Sequence, residues 1–387
     1  MKGHIRERSP GHWAIVIDLR DPETGKRRRK WHSFRGTKRA AQVECSRLIS
    51  ELKGGLYIEP AKVTVRQFLE RWLEHMKSQV APRTHERYSE IALKCLAPLI
   101  GDVLLPKIEA FRISGAYSKA LSEGRRDGKG GLSPRTVGHM HRILRQALQQ
   151  AVRWQLLARN PADTVRPPKV EKSEMRALTP DETAELLEAV RPTRMFIPVL
   201  LAVTCGLRRG EITGLRWRSV DLDNTQISVI SSTEQTRAGV REKETKSGRA
   251  RTVTLTALAV DELRRHKVKQ AEELLRIGLR QSDDIHVTAQ ADGQLLKPNS
   301  LTHEFVRFIA GTKLPRIRFH DLRHTHATQL LKSNVHPKVV QERLGHEDIS
   351  TTLNLYSHVL PGMQDDAANR VDAALKAALD KHRNSKG

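Results

Sequence analysis

The chain has 387 residues, a hydrophobic fraction of 38% and a formal net charge of +24. A chain of this length is expected to form two or three domains. The hydrophobic fraction is sufficient for packed cores, which excludes a disordered polycation. Aromatic residues make up only 4% of the sequence, which disfavours a protein that binds its partner mainly by base stacking.

The positive charge is concentrated in the front half: residues 1–175 carry +17 and residues 176–387 carry +7. This distribution predicts modules that bind a polyanion, either nucleic acid or an anionic membrane. No membrane partner is expected, because the longest apolar run, residues 195–207, contains Pro198 and is shorter than the roughly 20 residues of a spanning helix. The N-terminus lacks an apolar signal-peptide core, and the three cysteines give no disulfide framework or zinc pair. We expect a cytoplasmic protein.

Residues 1–58 are predicted to form a small basic module with two or three strands and one helix. A strand rich in β-branched residues covers 12–19, a turn follows at 21–25, and a basic strand starts at 26. Thr37 is a plausible N-cap for the helix that follows. The basic run 26–30 is equally explained by a solvated hairpin, but its place in a basic strand–helix unit favours contact with DNA.

Residues 62–168 are predicted to form a four-helix domain, and residues 175–387 a mainly α domain with a small β-sheet. In the second domain, Ser133 and Pro134 cap a long helix after the Gly-rich basic loop 124–131. In the third, short strands are predicted at 226–231 and 251–255, and a helix with an Ala/Leu/Val face is predicted from residue 365. The chain is thus expected to be a multidomain, mainly α protein.

Four segments of the third domain carry side chains suited to chemistry. They supply arginines, a lysine, histidines and a tyrosine, but no matched pair of carboxylates for a metal. The residues are Arg208 and Glu211 in segment 204–211, Lys246 in 244–252, His320, Arg323 and His324 in 320–324, and His346 in 344–346, followed ten residues later by Tyr356.

These residue types suit reaction at a phosphodiester. Arginine forks bind non-bridging phosphate oxygens in pairs and stay charged. Histidine and lysine move protons near neutral pH, and a tyrosine oxygen can attack phosphorus to form a covalent ester. Two successive transesterifications conserve the bond energy, so no metal, ATP or other cofactor is expected.

In their order and spacing, the four segments resemble the tyrosine recombinase family, in its phage-integrase branch. The helical second module resembles the core-type DNA-binding domain of these enzymes, and the front module their arm-type DNA-binding domain. The resemblance implies a site-specific recombinase that cuts and rejoins double-stranded DNA through a 3′-phosphotyrosyl intermediate and a Holliday junction. It also implies a homotetramer on DNA.

The resemblance assigns a role to each candidate catalytic residue. Arg208 and Arg323 would hold the phosphate, Lys246 would protonate the leaving 5′ oxygen, and His320 would assist proton transfer. His346 would contact a non-bridging oxygen, and Tyr356 would be the nucleophile. Glu211 would be a buried acid that supports Arg208 without transferring protons.

Several of these assignments have alternatives. Lys243 and Arg249 compete with Lys246 for the lysine role, because hairpin registers slip easily. The spacing of His320 and His324 is that of a zinc helix, but Asp321 stands where that motif has glutamate, and zinc takes three or four ligands. We interpret His324 and His326 as core or helix-positioning residues. Arg209, Arg216 and Arg218 are interpreted as solvated or phosphate-contacting residues without a catalytic role.

We expect an integrase of a prophage or other mobile element, with excision of that element left open as a further activity. The alternatives are a chromosome-dimer resolvase, a type IB topoisomerase or a non-catalytic DNA-binding accessory protein. A host DNA-bending protein and an excision directionality factor are candidate partners. The tail helix either packs within the chain or docks onto a neighbouring protomer, as the resemblance implies.

Overall fold

The computed structural model describes residues 2–20, 27–53, 63–125, 127–171, 176–244, 250–356 and 363–384. The expected fold class is confirmed: the protein is mainly α-helical, with small antiparallel sheets. Its chain divides into two compact units, Met1–Glu171 and Lys172–Gly387. Within the described ranges, every helix is too short or too polar to cross a bilayer.

The front of the first unit is a three-stranded antiparallel sheet covered by one helix. The strands are β1 (Lys2–Ser9), β2 (His12–Arg20) and β3 (Arg27–Arg35), with β2 in the centre, and the helix is α1 (Lys38–Lys53). Ile15 and Ile17 of β2 pack with Cys45 and Leu48 of α1 to form the core. The Thr37 hydroxyl accepts a hydrogen bond from the Ala40 amide, so Thr37 caps α1 as predicted. The predicted turn at 21–25 lies outside the described residues.

The rest of the first unit is a helical bundle, as the sequence predicts. Its helices are α2 (Val65–Met76), α3 (Pro82–Ile91), α4 (Ala97–Ile100), α5 (Ala110–Glu123) and α6 (Pro134–Arg153). A π-helical turn, Ala92–Leu96, joins α3 to α4. Ser133 caps α6 by accepting from the Thr136 amide, and Pro134 occupies the first helical position, as predicted.

The second unit is built around α8 (Phe196–Cys205), nine of whose ten residues are buried. Its buried residues join those of the surrounding helices and strands in one continuous core. The other helices are α7 (Pro180–Val190), α9 (Arg209–Gly214), α10 (Ala257–Leu275), α11 (Pro298–Ala310), α12 (Asp321–Lys332), α13 (Pro337–Leu344), α14 (Ile349–Tyr356) and α15 (Met363–Asn384).

Two small sheets complete the second unit. The first contains β4 (Val220–Asp221), β5 (Gln226–Val229) and β8 (Arg251–Thr254), and the second is the hairpin of β6 (Ser231–Thr236) and β7 (Gly239–Glu244). The strands predicted near 226 and 251 are present. The hairpin was not predicted, because β6 and β7 consist almost entirely of polar residues and lack the apolar alternation that indicates a strand.

The predicted tail helix is present as α15. Val371, Leu375 and Leu379, spaced four residues apart on one side of the helix, are 59%, 58% and 55% exposed. These apolar side chains therefore remain largely uncovered within the chain.

Candidate active site

Arg208 and Glu211 are positioned by the tight connection between α8 and α9. Gly206 ends α8 in the left-handed conformation, with φ of 65°, and Arg208 is the N-cap of α9. The Glu211 carboxylate reaches back to accept from the Arg208 amide at 2.8 Å and from its Nη1 at 2.9 Å. The start of α9 thus fixes the backbone and side chain of Arg208 together.

Glu211 is buried and shared between two arginines. Arg251, the first residue of β8, donates from Nη1 to Oε1 at 2.9 Å and from Nη2 to Oε2 at 2.7 Å. Burial of the Glu211 carboxyl tends to raise its pKa, but the hydrogen bonds and charges of Arg251 and Arg208 outweigh burial and lower the pKa to about 2. Glu211 is therefore a permanent anion at neutral pH, which agrees with a supporting role.

Arg323 lies in the first turn of α12 and is 3% exposed. Its Nη1 donates to the Gly206 carbonyl at 2.6 Å and its Nη2 to the Leu344 carbonyl at 2.5 Å. Burial and the nearby charge of Arg208 lower the pKa of the Arg323 guanidinium to about 9. The side chain thus remains a cation at neutral pH.

The end of α13 joins three arginines at one place. The carbonyls of residues 343, 344 and 345 accept hydrogen bonds from Arg251 Nε at 3.1 Å, Arg323 Nη2 at 2.5 Å and Arg208 Nη2 at 2.8 Å. The last carbonyls of a helix lack intrahelical partners and carry the negative end of the helix dipole, so cations are favoured there. We call residues 343–345 the arginine-bound turn.

His346 follows the arginine-bound turn directly. Gly345 has a φ of 64° and ends α13, which turns the chain so that His346 Nδ1 lies 2.8 Å from the Thr352 hydroxyl. Partial burial and the charges of Arg323 and Arg208 lower the pKa of His346 to about 4. The imidazole is therefore neutral near pH 7.

His320, at the N-terminus of α12, is solvent-exposed, and its ring packs edge to face against His324 at 4.9 Å between centroids. Although the residue as a whole is exposed, neighbouring atoms remove part of the water around its ring. This desolvation, together with the charges of His324 and Arg323, lowers the pKa of His320 to about 4. Asp321 is bound by the amide and guanidinium of Arg318. The described part of the chain holds no group of three or more His, Cys, Asp or Glu residues placed to bind a metal.

His326 is a core histidine, as interpreted from the sequence. Its Nδ1 lies 2.9 Å from the Val203 carbonyl and its Nε2 accepts from Arg343 Nε at 3.0 Å. Arg343 also donates to the carbonyls of Thr204 and Thr254. These contacts tie α12, α13 and the end of α8 together beneath the arginine-bound turn.

Two of the predicted catalytic residues, Lys246 and Tyr356, lie wholly or partly outside the described residues. Lys246 and its rival Arg249 lie outside the described residues, whereas Lys243 in β7 donates to Glu234 at 2.7 Å. Tyr356 is the last residue of α14, but its side chain lies outside the described part. The structure therefore brings together Arg208, Arg323 and His346, with His320 at the start of the helix that carries Arg323.

Sequence reasoning missed Arg251 and Arg343. The signal for Arg251 is its register: Val253 and Leu255 are buried, and a strand directs every second side chain to the same face. An arginine at such a position requires a buried partner, here Glu211. Two of the arginines interpreted as solvated also make internal contacts: Arg209 donates to Thr302, and Arg216 to Glu242 and to the Asp284 carbonyl.

Two family models match the chain. The model for the phage integrase family covers residues 176–362, and that for the phage integrase N-terminal SAM-like domain covers residues 64–119. The tyrosine recombinase XerA of Thermococcus kodakarensis is 31% identical over 235 residues, which are 60% of this chain and 73% of that protein. A tyrosine recombinase XerC-like protein of Caldanaerobacter subterraneus subsp. tengcongensis is 26% identical over 384 residues, 93% of this chain and 96% of that protein.

A solved structure is also similar. The Tn1549 transposon integrase, in complex with transposon right-end DNA, superimposes with a TM-score of 0.68 at 18% identity, covering 80% of this chain and 100% of that one. This likeness concerns the fold. Together with the sequence matches, the findings place the chain in a class of enzymes that act by site-specific recombination. The chain belongs to the tyrosine recombinase family.

The ion pairs of Glu211 predict a pH dependence of stability. The folded pKa of about 2 lies below the unfolded value of 4.5, so the stabilisation is complete above pH 4.5 and is lost as the pH falls toward 2. It corresponds to about 3 kcal/mol at neutral pH. Denaturant unfolding of wild type and Glu211→Gln should show a gap in unfolding free energy at pH 7 that shrinks below pH 4.5.

The control is Glu188→Gln, which alters an ion pair with Arg191 whose glutamate side chain is 70% exposed. It should change stability little at any pH, because exposed pairs contribute little. A gap between wild type and Glu211→Gln that stays constant from pH 7 to pH 3 would contradict the assigned ionisation.

Proposed function

We propose that this recombinase cuts and rejoins double-stranded DNA at the arginine-bound turn, with Arg208, Lys246, His320, Arg323, His346 and Tyr356 as its catalytic residues. The observation that carries the proposal is that Arg208 and Arg323 donate to the adjacent carbonyls of Gly345 and Leu344. Two guanidinium groups are thus held side by side, next to His346.

The charge of this cluster favours a bound phosphate. Three guanidinium groups (Arg208, Arg251 and Arg323) face a single carboxylate, Glu211. The Arg208 side chain is 39% exposed, and a guanidinium has five N–H donors, so Arg208 retains donors for an incoming oxygen. A phosphodiester offers two non-bridging oxygens to such a pair of arginines, and its transition state carries more negative charge on them.

His346 is suited to donate to the same phosphate. When the Thr352 hydroxyl donates to Nδ1, the proton of the neutral imidazole lies on Nε2. That N–H then serves as a neutral donor to a non-bridging oxygen. Because partial burial and the neighbouring arginines keep His346 neutral, it contributes a hydrogen bond without transferring its proton.

The remaining three residues account for the bonds and protons. The Tyr356 oxygen attacks phosphorus, and its proton passes to His320. With a pKa of about 4, the His320 ring is neutral near pH 7, so one of its nitrogens is unprotonated and can receive that proton. The bond between phosphorus and the 5′ oxygen breaks, and Lys246 supplies the proton to that oxygen. The product is a 3′-phosphotyrosyl ester and a free 5′ hydroxyl, and the reverse reaction with another 5′ hydroxyl rejoins the strand.

The front sheet is proposed to grip DNA through the face opposite α1. The alternation along β1 and β3 puts a set of exposed side chains on that face. Trp31 is 54% exposed, with the Arg8 guanidinium 5.8 Å from its ring centroid. The other exposed members are His4, Arg6, Arg29, Ser33 and Arg35. Such a basic face suits arm-type binding to phosphates, which weakens steeply with salt.

We further propose that the enzyme integrates a mobile element and acts as a homotetramer through a Holliday junction in the cytoplasm. The basic front module, about 60 residues beyond a core-binding and a catalytic domain, favours an integrase over a chromosome-dimer resolvase. A host DNA-bending protein and an excision directionality factor are proposed as accessory partners. The complete set of six proposed catalytic residues disfavours a non-catalytic binding protein.

The nucleophile is tested by covalent trapping. On a nicked suicide duplex that carries the core site, wild type should form a protein–DNA adduct that resists denaturation, whereas Tyr356→Phe should form none, because phenylalanine has no oxygen to attack phosphorus. Gel separation of labelled DNA after denaturation measures the adduct.

Tyr88→Phe is the matched control, because Tyr88 stacks on Trp72 within the helical bundle. This variant should form the adduct as wild type does. An adduct that persists in Tyr356→Phe would place the nucleophile elsewhere, and the absence of any adduct in wild type would overturn the proposed activity.

The tail helix is proposed to dock onto a neighbouring protomer, because its apolar residues remain exposed in the isolated chain. Deleting residues 365–387 should leave binding to a single core site unchanged in a gel-shift assay and abolish the synaptic complex of two duplexes. Deleting only 385–387, beyond the end of α15, is the control. Normal recombination by the variant that lacks residues 365–387 would contradict the proposed docking.

A further inference from the structure

Arg251 occupies a central place in the site without a role in the proposed reaction. Its side chain is 12% exposed and pairs with Glu211, which is 3% exposed. Its Nε donates to the Arg343 carbonyl, and its backbone is held opposite Val229 in the pairing of β5 with β8. Arg251 therefore connects the sheet, the start of α9 and the end of α13.

Arg251 and Arg208 share one carboxylate. Glu211 accepts four hydrogen bonds, two from the Arg251 guanidinium, one from the Arg208 amide and one from Arg208 Nη1. Arg251 donates one hydrogen bond to each carboxylate oxygen of Glu211. Arg208 therefore donates to Glu211 from only one side-chain nitrogen, Nη1. Its other terminal nitrogen extends to the Gly345 carbonyl.

Without Arg251, the buried carboxylate would have Arg208 as its remaining ion-pair partner. A guanidinium next to an unshared carboxylate favours the bidentate arrangement. Arg208 would then turn toward Glu211 and away from Gly345 and the phosphate. The charge of Glu211 would also be less compensated, which opposes the approach of a second anion.

Arg251 also supports the turn that carries His346. A Cβ atom at Gly345 would lie 2.9 Å from Arg251 Cδ and 3.0 Å from its Nη1. The arginine therefore packs directly beneath the left-handed residue that precedes His346. A shorter or uncharged side chain at position 251 would remove both this contact and the bond to the Arg343 carbonyl.

We propose that Arg251 is a positioning residue. By compensating the negative charge of Glu211 and packing against the arginine-bound turn, it holds Arg208 in place for the scissile phosphate. The proposal rests on the proposed function, since it assumes that Arg208 binds that phosphate. It distinguishes Arg251 from a residue that only stabilises the fold.

The test compares two suicide duplexes in single-turnover cleavage by the full chain. One carries the ordinary diester at the cleavage site, and the other carries a methylphosphonate, in which a methyl group replaces one charged non-bridging oxygen. We expect Arg251→Gln to reduce the rate about 100-fold on the diester, as for loss of one transition-state donor, and about 10-fold or less on the methylphosphonate. The ratio of the two rates does not depend on the fraction of folded enzyme.

Three further variants complete the design. Arg251→Lys, which keeps the charge but loses the fork, should fall between wild type and Arg251→Gln. Adding Glu211→Gln to Arg251→Gln should restore part of the diester rate, because no buried carboxylate then competes for Arg208. Arg264→Gln, at an exposed site on α10, should behave as wild type.

The proposal is overturned if Arg251→Gln cleaves the diester within about 3-fold of wild type, or if it loses the same factor on both duplexes, as a purely structural role predicts. Failure of wild type to form an adduct on the diester would instead overturn the proposed function. If Arg251→Gln does not fold, the rate ratio of Arg251→Lys decides: a ratio equal to that of wild type contradicts the proposal.

Discussion

The site depends on one interaction, the binding of three arginines to the last carbonyls of α13. Each carbonyl of residues 343–345 accepts from a different guanidinium, and these come from α9, α12 and β8. Elements distant in the sequence are thus fixed against a single turn. The end of a helix favours cations, and the three guanidinium groups gathered there form a positively charged site for an anion such as a phosphate.

This arrangement is opposed by the repulsion among three closely placed cations. Glu211 reduces it, since its carboxylate contacts both Arg208 and Arg251, while Arg323 relies on the carbonyls of Gly206 and Leu344. The lowered pKa values of Arg323 and His346 share two causes: burial, which is the larger, and the positive charge of the cluster, which disfavours further protons. A bound phosphate would relieve this excess, which links the stability of the site to its proposed substrate.

The sequence predicted the helices and caps well, because their signals are local. Thr37, Ser133 and Pro134 stand where the structure starts α1 and α6. It did not predict the β6–β7 hairpin, whose polar strands lack an apolar period. Family resemblance assigned roles to Arg208, Arg323 and His346, which the structure brings together, but it did not predict the network that joins them. That network consists largely of hydrogen bonds from arginine side chains to backbone carbonyls. Because every residue has a backbone carbonyl, the sequence does not indicate which carbonyls accept these bonds.

Arg251 illustrates the same limit. Its register in β8 indicates a buried side chain, but only the structure shows that its partner is the carboxylate that also holds Arg208. The proposed role of Arg251 depends on Glu211, which it shares with Arg208 and which lies 40 positions away in the chain. Such a role is recognised from the geometry of the folded site.

The central claim, that Arg208 and Arg323 bind the scissile phosphate from the arginine-bound turn, is tested most directly by a crystal structure of Tyr356→Phe with core-site DNA. We expect one phosphate to lie with its non-bridging oxygens about 3 Å from both guanidinium groups, while both arginines keep their hydrogen bonds to the Leu344 and Gly345 carbonyls. A cleavage-site phosphate bound away from this pair, or reached only after both arginines leave the turn, would contradict it.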